Sequence, residues 1–176
     1  MNAISPTHSL ATDGVPTMAG IDGQSVHPMI VSFPIGFLVS ALVTDALLAA
    51  HPVETWAICS FWLLALGLVT GVVAAFFGLI DFFGQPSFRN QLIARLHFVG
   101  NGTVLALATA NLYLRWSDVA THIVPTGLGL TPGAAALLLG TGWLGGELAY
   151  RQRVRVMSLT SATGGQPGEA ALGRWA

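Results

Sequence analysis

The chain contains no lysine, and its seven basic residues face eight acidic ones, for a formal net charge of −1. No basic field for nucleic acid is available, because that binding rests on clustered positive charge. Charge of either sign is scarce. Charged residues make up 9% of the chain, against about a quarter in a soluble domain. The single cysteine, Cys59, excludes an internal disulfide. It lies in an apolar run and does not report a redox compartment. Residues 1–25 hold no Lys or Arg and no apolar core, unlike a signal peptide. They are rich in Ser, Thr, Gly and Asp and read as a disordered tail. A glycine-flanked serine elbow and a P-loop are both missing. "GTGWLGG" lacks the G-x-G-x-x-G spacing and the preceding strand of a dinucleotide fingerprint. No reaction class of enzyme is indicated.

What the chain has in quantity is apolar surface: 53% hydrophobic residues and a mean hydropathy of +0.67. That balance indicates a membrane protein. Four runs reach the roughly 20 apolar residues that span a bilayer. They are Pro28–Ala50, Thr55–Ile80, Leu92–Trp116 and Pro132–Tyr150. Four buried helices of a soluble bundle would need a polar face for water, and almost none is left over. Pro28, Pro52 and Pro132 fall at expected first-turn positions. Thr131 is the expected N-cap of the fourth span, and Pro34 is expected to kink the first. Gly67, Gly71 and Ala75, and again Gly142 and Gly146, recur at a spacing that lets helices approach closely in lipid.

The short "HPVE" at 51–54 makes spans one and two an antiparallel hairpin, and "DFFGQPSFRN" at 81–90 reads as a second short turn. The expected fold is an all-α, up-down-up-down four-helix membrane bundle over 26–156, with disordered tails at 1–25 and 157–176. Arg89, Arg95, Arg151, Arg153, Arg155 and Arg174 fall on the side of the termini, and only Arg115 on the other. The positive-inside rule then makes the termini cytoplasmic. Trp56, Tyr113 and Trp116 mark one boundary, and Phe82, Phe83, Phe88 and Tyr150 the other.

Four spans bring an ionisable side chain to the terminal side: His27, Asp81, His97 and Glu147. Asn101 follows His97 by one turn, and Arg151 follows Glu147 by one turn in the favourable order. Ionisable groups at membrane depth usually face the bundle interior and pair. Three readings stay open. His27, Asp81, His97 and Glu147 suit a divalent metal such as Fe, Mn or Zn. His27 and His97 suit the axial positions of a haem, such as haem b. Or the group is a structural polar network. No His-x-x-x-His or Glu-x-x-His pair occurs on one helix. Asp45 lies 18 residues beyond His27, about 27 Å along a helix. It falls near the depth of Asn111 and Arg115, and a tie to one of them is expected. His8, His51, Glu54, Asp118 and His122 read as wet tail or loop residues.

"HPMIVSFPIGFLVSALVTD", "GLIDF", "ARLHFVGN" and "TGWLGGELAYR" together resemble an uncharacterised bacterial membrane family, domain of unknown function 2231. The resemblance spans roughly 26–156. It implies a four-helix inner-membrane protein with no assigned activity. Some relatives are joined to Rieske-type iron–sulfur domains, which implies an electron-transfer setting. By motif match the family's polar positions fall on His27, Asp45, Asp81, His97, Glu147 and Arg151. Ser32 and Gln152 stand where members often carry histidine, so two candidate ligands are missing here.

Two function classes follow. One is a redox-associated membrane protein with a cofactor or metal site at the cytoplasmic side, working with a redox protein or a larger membrane complex. The other is a structural or assembly subunit whose polar cluster only ties helices. A transport path ranks behind both, because few polar steps separate the cluster from Asp45. The glycine faces permit a homo-oligomer.

Overall fold

The computed structural model describes residues 20–21, 24–116 and 127–151. A two-residue antiparallel ladder, β1 (Gly20–Ile21) with β2 (Gln24–Ser25), precedes the helices within the stretch read as tail. Helices α1 (Val26–Ile30), α2 (Ser32–Ala50), α3 (Glu54–Gly84), α4 (Pro86–Arg89), α5 (Leu92–Arg115) and α6 (Leu128–Arg151) follow. Among the described residues, four helical stretches are long and apolar enough to cross a membrane: Val26–Ala50, Glu54–Gly84, Leu92–Arg115 and Leu128–Ala149.

Local chemistry explains the breaks. Pro34 has no N–H for the Ile30 carbonyl, and its ring crowds that turn. The helix is interrupted at Val31, three residues ahead of the proline where the kink was expected. Bonds from Val31 N to the His27 carbonyl and from Ile35 N to the Val31 carbonyl carry the chain across. His51 precedes Pro52 and is extended, as a pre-proline residue prefers. Pro52 therefore lies in the connection, and α3 starts two residues later with Glu54 in its first turn, where an acid suits the helix dipole. Gln85 is extended before Pro86 for the same steric reason.

Three expectations need correction. The segment 81–90 is not a plain turn. α3 runs on through Asp81 to Gly84, and Pro86 opens the short helix α4. At 31 residues, α3 is about 46 Å long and exceeds the hydrocarbon thickness, so it tilts or projects. Pro132 lies inside α6 rather than in its first turn. Thr131 is likewise helical, and its hydroxyl serves other helices rather than capping its own.

α2 packs on α3 and α6, and α5 packs on α6 and α3. The core is a thin seam of Leu38, Ala41, Leu64, Val104, Ala108 and Leu138. Large apolar side chains such as Phe33, Trp62, Val69, Phe76, Leu139 and Trp143 point outward. Without a membrane this would be an aggregating surface; in one, it is the face presented to lipid. Gly67 and Gly71 do bring helices together, against Leu38 and Leu105 respectively. Gly142 and Gly146 do not, since a Cβ on either would meet nothing within 4 Å.

Candidate functional site

Two polar centres sit in the bundle. The first is buried and draws five side chains from four helices: Asp45 of α2, Ser60 of α3, Asn111 and Arg115 of α5, and Thr131 of α6. Arg115 of α5 and Asp45 of α2 form an ion pair at 2.7 Å, with both side chains 0% exposed. The contact is bidentate: Nη1 donates to Oδ1 at 2.9 Å and Nη2 to Oδ2 at 2.7 Å. The remaining guanidinium donors reach Asn111 Oδ1 at 2.8 Å, Ser60 Oγ at 2.6 Å and Thr131 Oγ1 at 2.9 Å. The Ser60 hydroxyl donates to Asp45 Oδ1. The Thr131 hydroxyl donates to Oδ2 at 2.7 Å and accepts from Asn111 Nδ2 at 2.8 Å. Every donor on the guanidinium is aimed at an acceptor, which is the condition for a buried charge to be tolerated. Asn111 joins through Arg115 and Thr131, not directly to Asp45. Ser60 was not singled out from the sequence, and Thr131 was expected only as an N-cap. Their one local signal is a hydroxyl within an apolar run, which occurs elsewhere without consequence.

The second centre is a cavity of about 620 Å³ between α1, α2, α3, α5 and α6, predominantly apolar in its lining. His27, Asp81, His97 and Asn101 are among the residues that line it. The two imidazole rings lie edge-on to one another, with centroids 6.1 Å apart and an interplanar angle of 90°. Each ring is fixed from behind. His27 Nδ1 lies 2.8 Å from the Ala74 carbonyl oxygen of α3, and His97 Nδ1 lies 2.8 Å from the Thr141 carbonyl oxygen of α6. A carbonyl only accepts, so each neutral ring carries its proton on Nδ1 and keeps a lone pair on Nε2. Metal-ligating histidines carry the same kind of tie, the ring nitrogen away from the metal donating to a backbone carbonyl and fixing the ring's orientation.

Glycine makes this fit. A Cβ on Gly78 would lie 3.0 Å from His27 Cε1, and one on Gly145 would lie 2.7 Å from His97 Cε1. Each glycine is one turn after the carbonyl that its histidine bonds. Only a residue without a side chain lets the ring lie on the helix there. Asn101 lies against His97. Its Nδ2 donates to the His97 carbonyl at 2.8 Å and is equidistant, at 3.3 Å, from both ring nitrogens. An equidistant atom is aligned with neither lone pair. Thr141 Oγ1 donates to Asn101 Oδ1 at 3.3 Å.

The structure thus brings His27, His97, Asp81 and Asn101 to one cavity. Glu147 is half-buried on α6 and is not among the lining residues. The side chain of Arg151 lies outside the described residues, as do Arg153, Arg155, Arg174, Asp118 and His122. Among the described residues, no three His, Cys, Asp or Glu side chains form a group that could hold a metal ion. Gly78 and Gly145 went unnoticed as site residues, although both fall inside the motif segments "GLIDF" and "GGEL".

No curated protein and no solved structure matches the chain. A family model does, over residues 23–158, and its description is a predicted membrane protein, DUF2231. The match takes in all four spans and both polar centres, and the chain belongs to that family.

Proposed function

We propose that this protein is a redox-linked haem protein of the bacterial inner membrane, with haem b held between His27 and His97. The observation that carries this is the imidazole pair itself: 6.1 Å between centroids, at the wall of an apolar cavity, each Nδ1 tied to a backbone carbonyl. An iron bonded to two imidazoles at about 2 Å on opposite sides separates the ring centroids by about 6 Å. A cavity of about 620 Å³ lies within the range of cofactor sites, roughly 300–1,000 Å³. The ligand number also favours haem. A bare Zn ion takes about four ligands and Mn or Fe up to about six, at least three of them from protein. A haem iron receives four from the porphyrin and needs only the two histidines. Asp81 and Asn101 at the cavity wall would set the polarity around the cofactor.

The spans run alternately up and down, with both termini and the cavity on the cytoplasmic side, by the arginine bias. The iron would exchange one electron with a redox protein or a larger membrane complex docking there. Residues 26–156 form the functional bundle. The test is a reduced-minus-oxidised absorption spectrum of detergent-purified protein, with elemental analysis on the same sample. Near-stoichiometric iron with a Soret band and sharpened α and β bands on reduction is expected. His97→Ala should abolish them.

A second reading has its own observation. The two histidine–carbonyl bonds already bridge α1 to α3 and α5 to α6, so the cluster serves equally as a helix tie in a structural or assembly subunit. That reading predicts a colourless, metal-free protein. His97→Ala would then destabilise the bundle with no spectral loss.

A further inference from the structure

The two halves of the bundle repeat one another. His27 and His97 are 70 positions apart, and so are Asp45 and Arg115. The buried positions between them keep the same offset: Pro34 with Val104, Leu38 with Ala108, Ala41 with Asn111. On the second helix of each half the offset is 67. Gly78, under His27, corresponds to Gly145, under His97, and the bonded carbonyls of Ala74 and Thr141 correspond as well. The cavity wall obeys the same rule. Val31 and Ile35 correspond to Asn101 and Leu105 at the offset of 70, and Ala75 and Leu79 to Gly142 and Gly146 at the offset of 67, and all eight line the cavity. The packing is reciprocal too: α2 on α3 and α6, α5 on α6 and α3. Side-chain identity between the halves is slight, so the repeat is one of placement.

We propose that the helix pairs α1–α2 with α3, and α5 with α6, are structural repeats about an approximate two-fold axis that passes between His27 and His97. The haem of the reading above then lies on this axis. Its iron is six-coordinate, held on equal terms by Nε2 of both histidines, and no iron position stays open. This assignment rests on the haem reading and goes beyond it. It makes the site one for outer-sphere electron exchange, where O₂ or another small gas could reach the iron only by displacing a histidine. The opposite end of the axis explains the charge pair. A two-fold contact between identical chains sets like residues against like where they meet at the axis. Here equivalent positions carry Asp45 and Arg115, so the two halves attract where identical halves would repel.

The experiment uses the full-length wild-type protein in detergent micelles, with haem supplied during expression and again after purification. Electron paramagnetic resonance of the ferric form and carbon monoxide addition to the dithionite-reduced form are recorded. A low-spin ferric signal and a reduced spectrum unmoved by carbon monoxide are expected. His27→Ala and His97→Ala should each lose the low-spin signal and gain a carbon monoxide adduct, to the same extent. Haem that is high-spin, or that binds carbon monoxide in the wild type, overturns the two-fold site while leaving the haem reading standing. So does one histidine variant with an unchanged spectrum. Failure of the wild type to retain any haem overturns both. Gly78→Ala and Gly145→Ala, which keep both ligands, guard against variants that do not fold. Each should weaken haem retention in parallel, and loss in only one of them counts against equivalence.

Discussion

Removing the carboxylate of Asp45 should be the most damaging small change in this protein. Asp45→Ala takes two acceptors from Arg115 Nη1 and Nη2, and also the acceptor of the Ser60 and Thr131 hydroxyls. The guanidinium cannot discard its proton in response. It stays charged, buried at 0% exposure, with three neutral partners left. Breaking a buried pair from one side costs about 3–5 kcal/mol. The cost is fully expressed here, because Arg115 ends α5 and can snorkel to the interface once the helices separate. Ser60→Ala removes one partner each from Arg115 and Asp45 but leaves their bidentate pair intact, and interhelical side-chain hydrogen bonds in lipid are worth about 0.6 kcal/mol each. The assay is denaturant titration from mild detergent into dodecyl sulfate, followed by far-UV circular dichroism. Asp45→Ala should lower the unfolding free energy by about 3–5 kcal/mol, and Asp45→Leu with Arg115→Leu should recover most of it. If Asp45→Ala and Ser60→Ala fall within about 0.6 kcal/mol of each other, the buried charge pair does not dominate the stability of the bundle.

Three further outcomes are expected. Gly145→Ala places a Cβ 2.7 Å from His97 Cε1. The ring must leave the Thr141 carbonyl, lowering stability by about 1–3 kcal/mol and, on the haem reading, weakening cofactor retention, measured by Soret absorbance per protein. Gly67→Ala meets Leu38 at 2.8 Å and should destabilise the α2–α3 contact by a similar amount, about 1–3 kcal/mol, with no change in any chromophore. The orientation is tested in a Cys59→Ala background by Gln85→Cys. A membrane-impermeant maleimide should label it in inverted vesicles and spare it in intact cells. The reverse pattern would invert the bundle.

How much was legible in advance follows from the range of the forces. Whether a stretch crosses lipid depends on its own apolar content and length, so the four spans emerged from composition and run length to within a few residues. The errors came at proline. Pro52 and Pro132 have the same local preference, but one falls before its helix and the other inside it. α6 begins a turn early, and that register places the Thr131 hydroxyl beside Asp45 and Arg115. Local capping preference lost to a buried charge that needed the hydroxyl.

The candidate site divides along the same line. Membrane residence, the four spans and the rarity of ionisable groups within them are properties of the chain read in order. An uncompensated charge or imidazole at that depth is costly wherever the neighbours lie. Which groups compensate is decided across helices. Ser60 and Thr131 complete the ring around Arg115, Gly78 and Gly145 admit the imidazoles, and Glu147 stays off the cavity wall. Those partners are 44 to 86 residues apart in several cases, as with His97 and Thr141 or Asp45 and Thr131. No local rule relates residues so distant in sequence. Only the packing of four helices, set by where glycine allows close approach and where a buried charge must find its partners, brings them together.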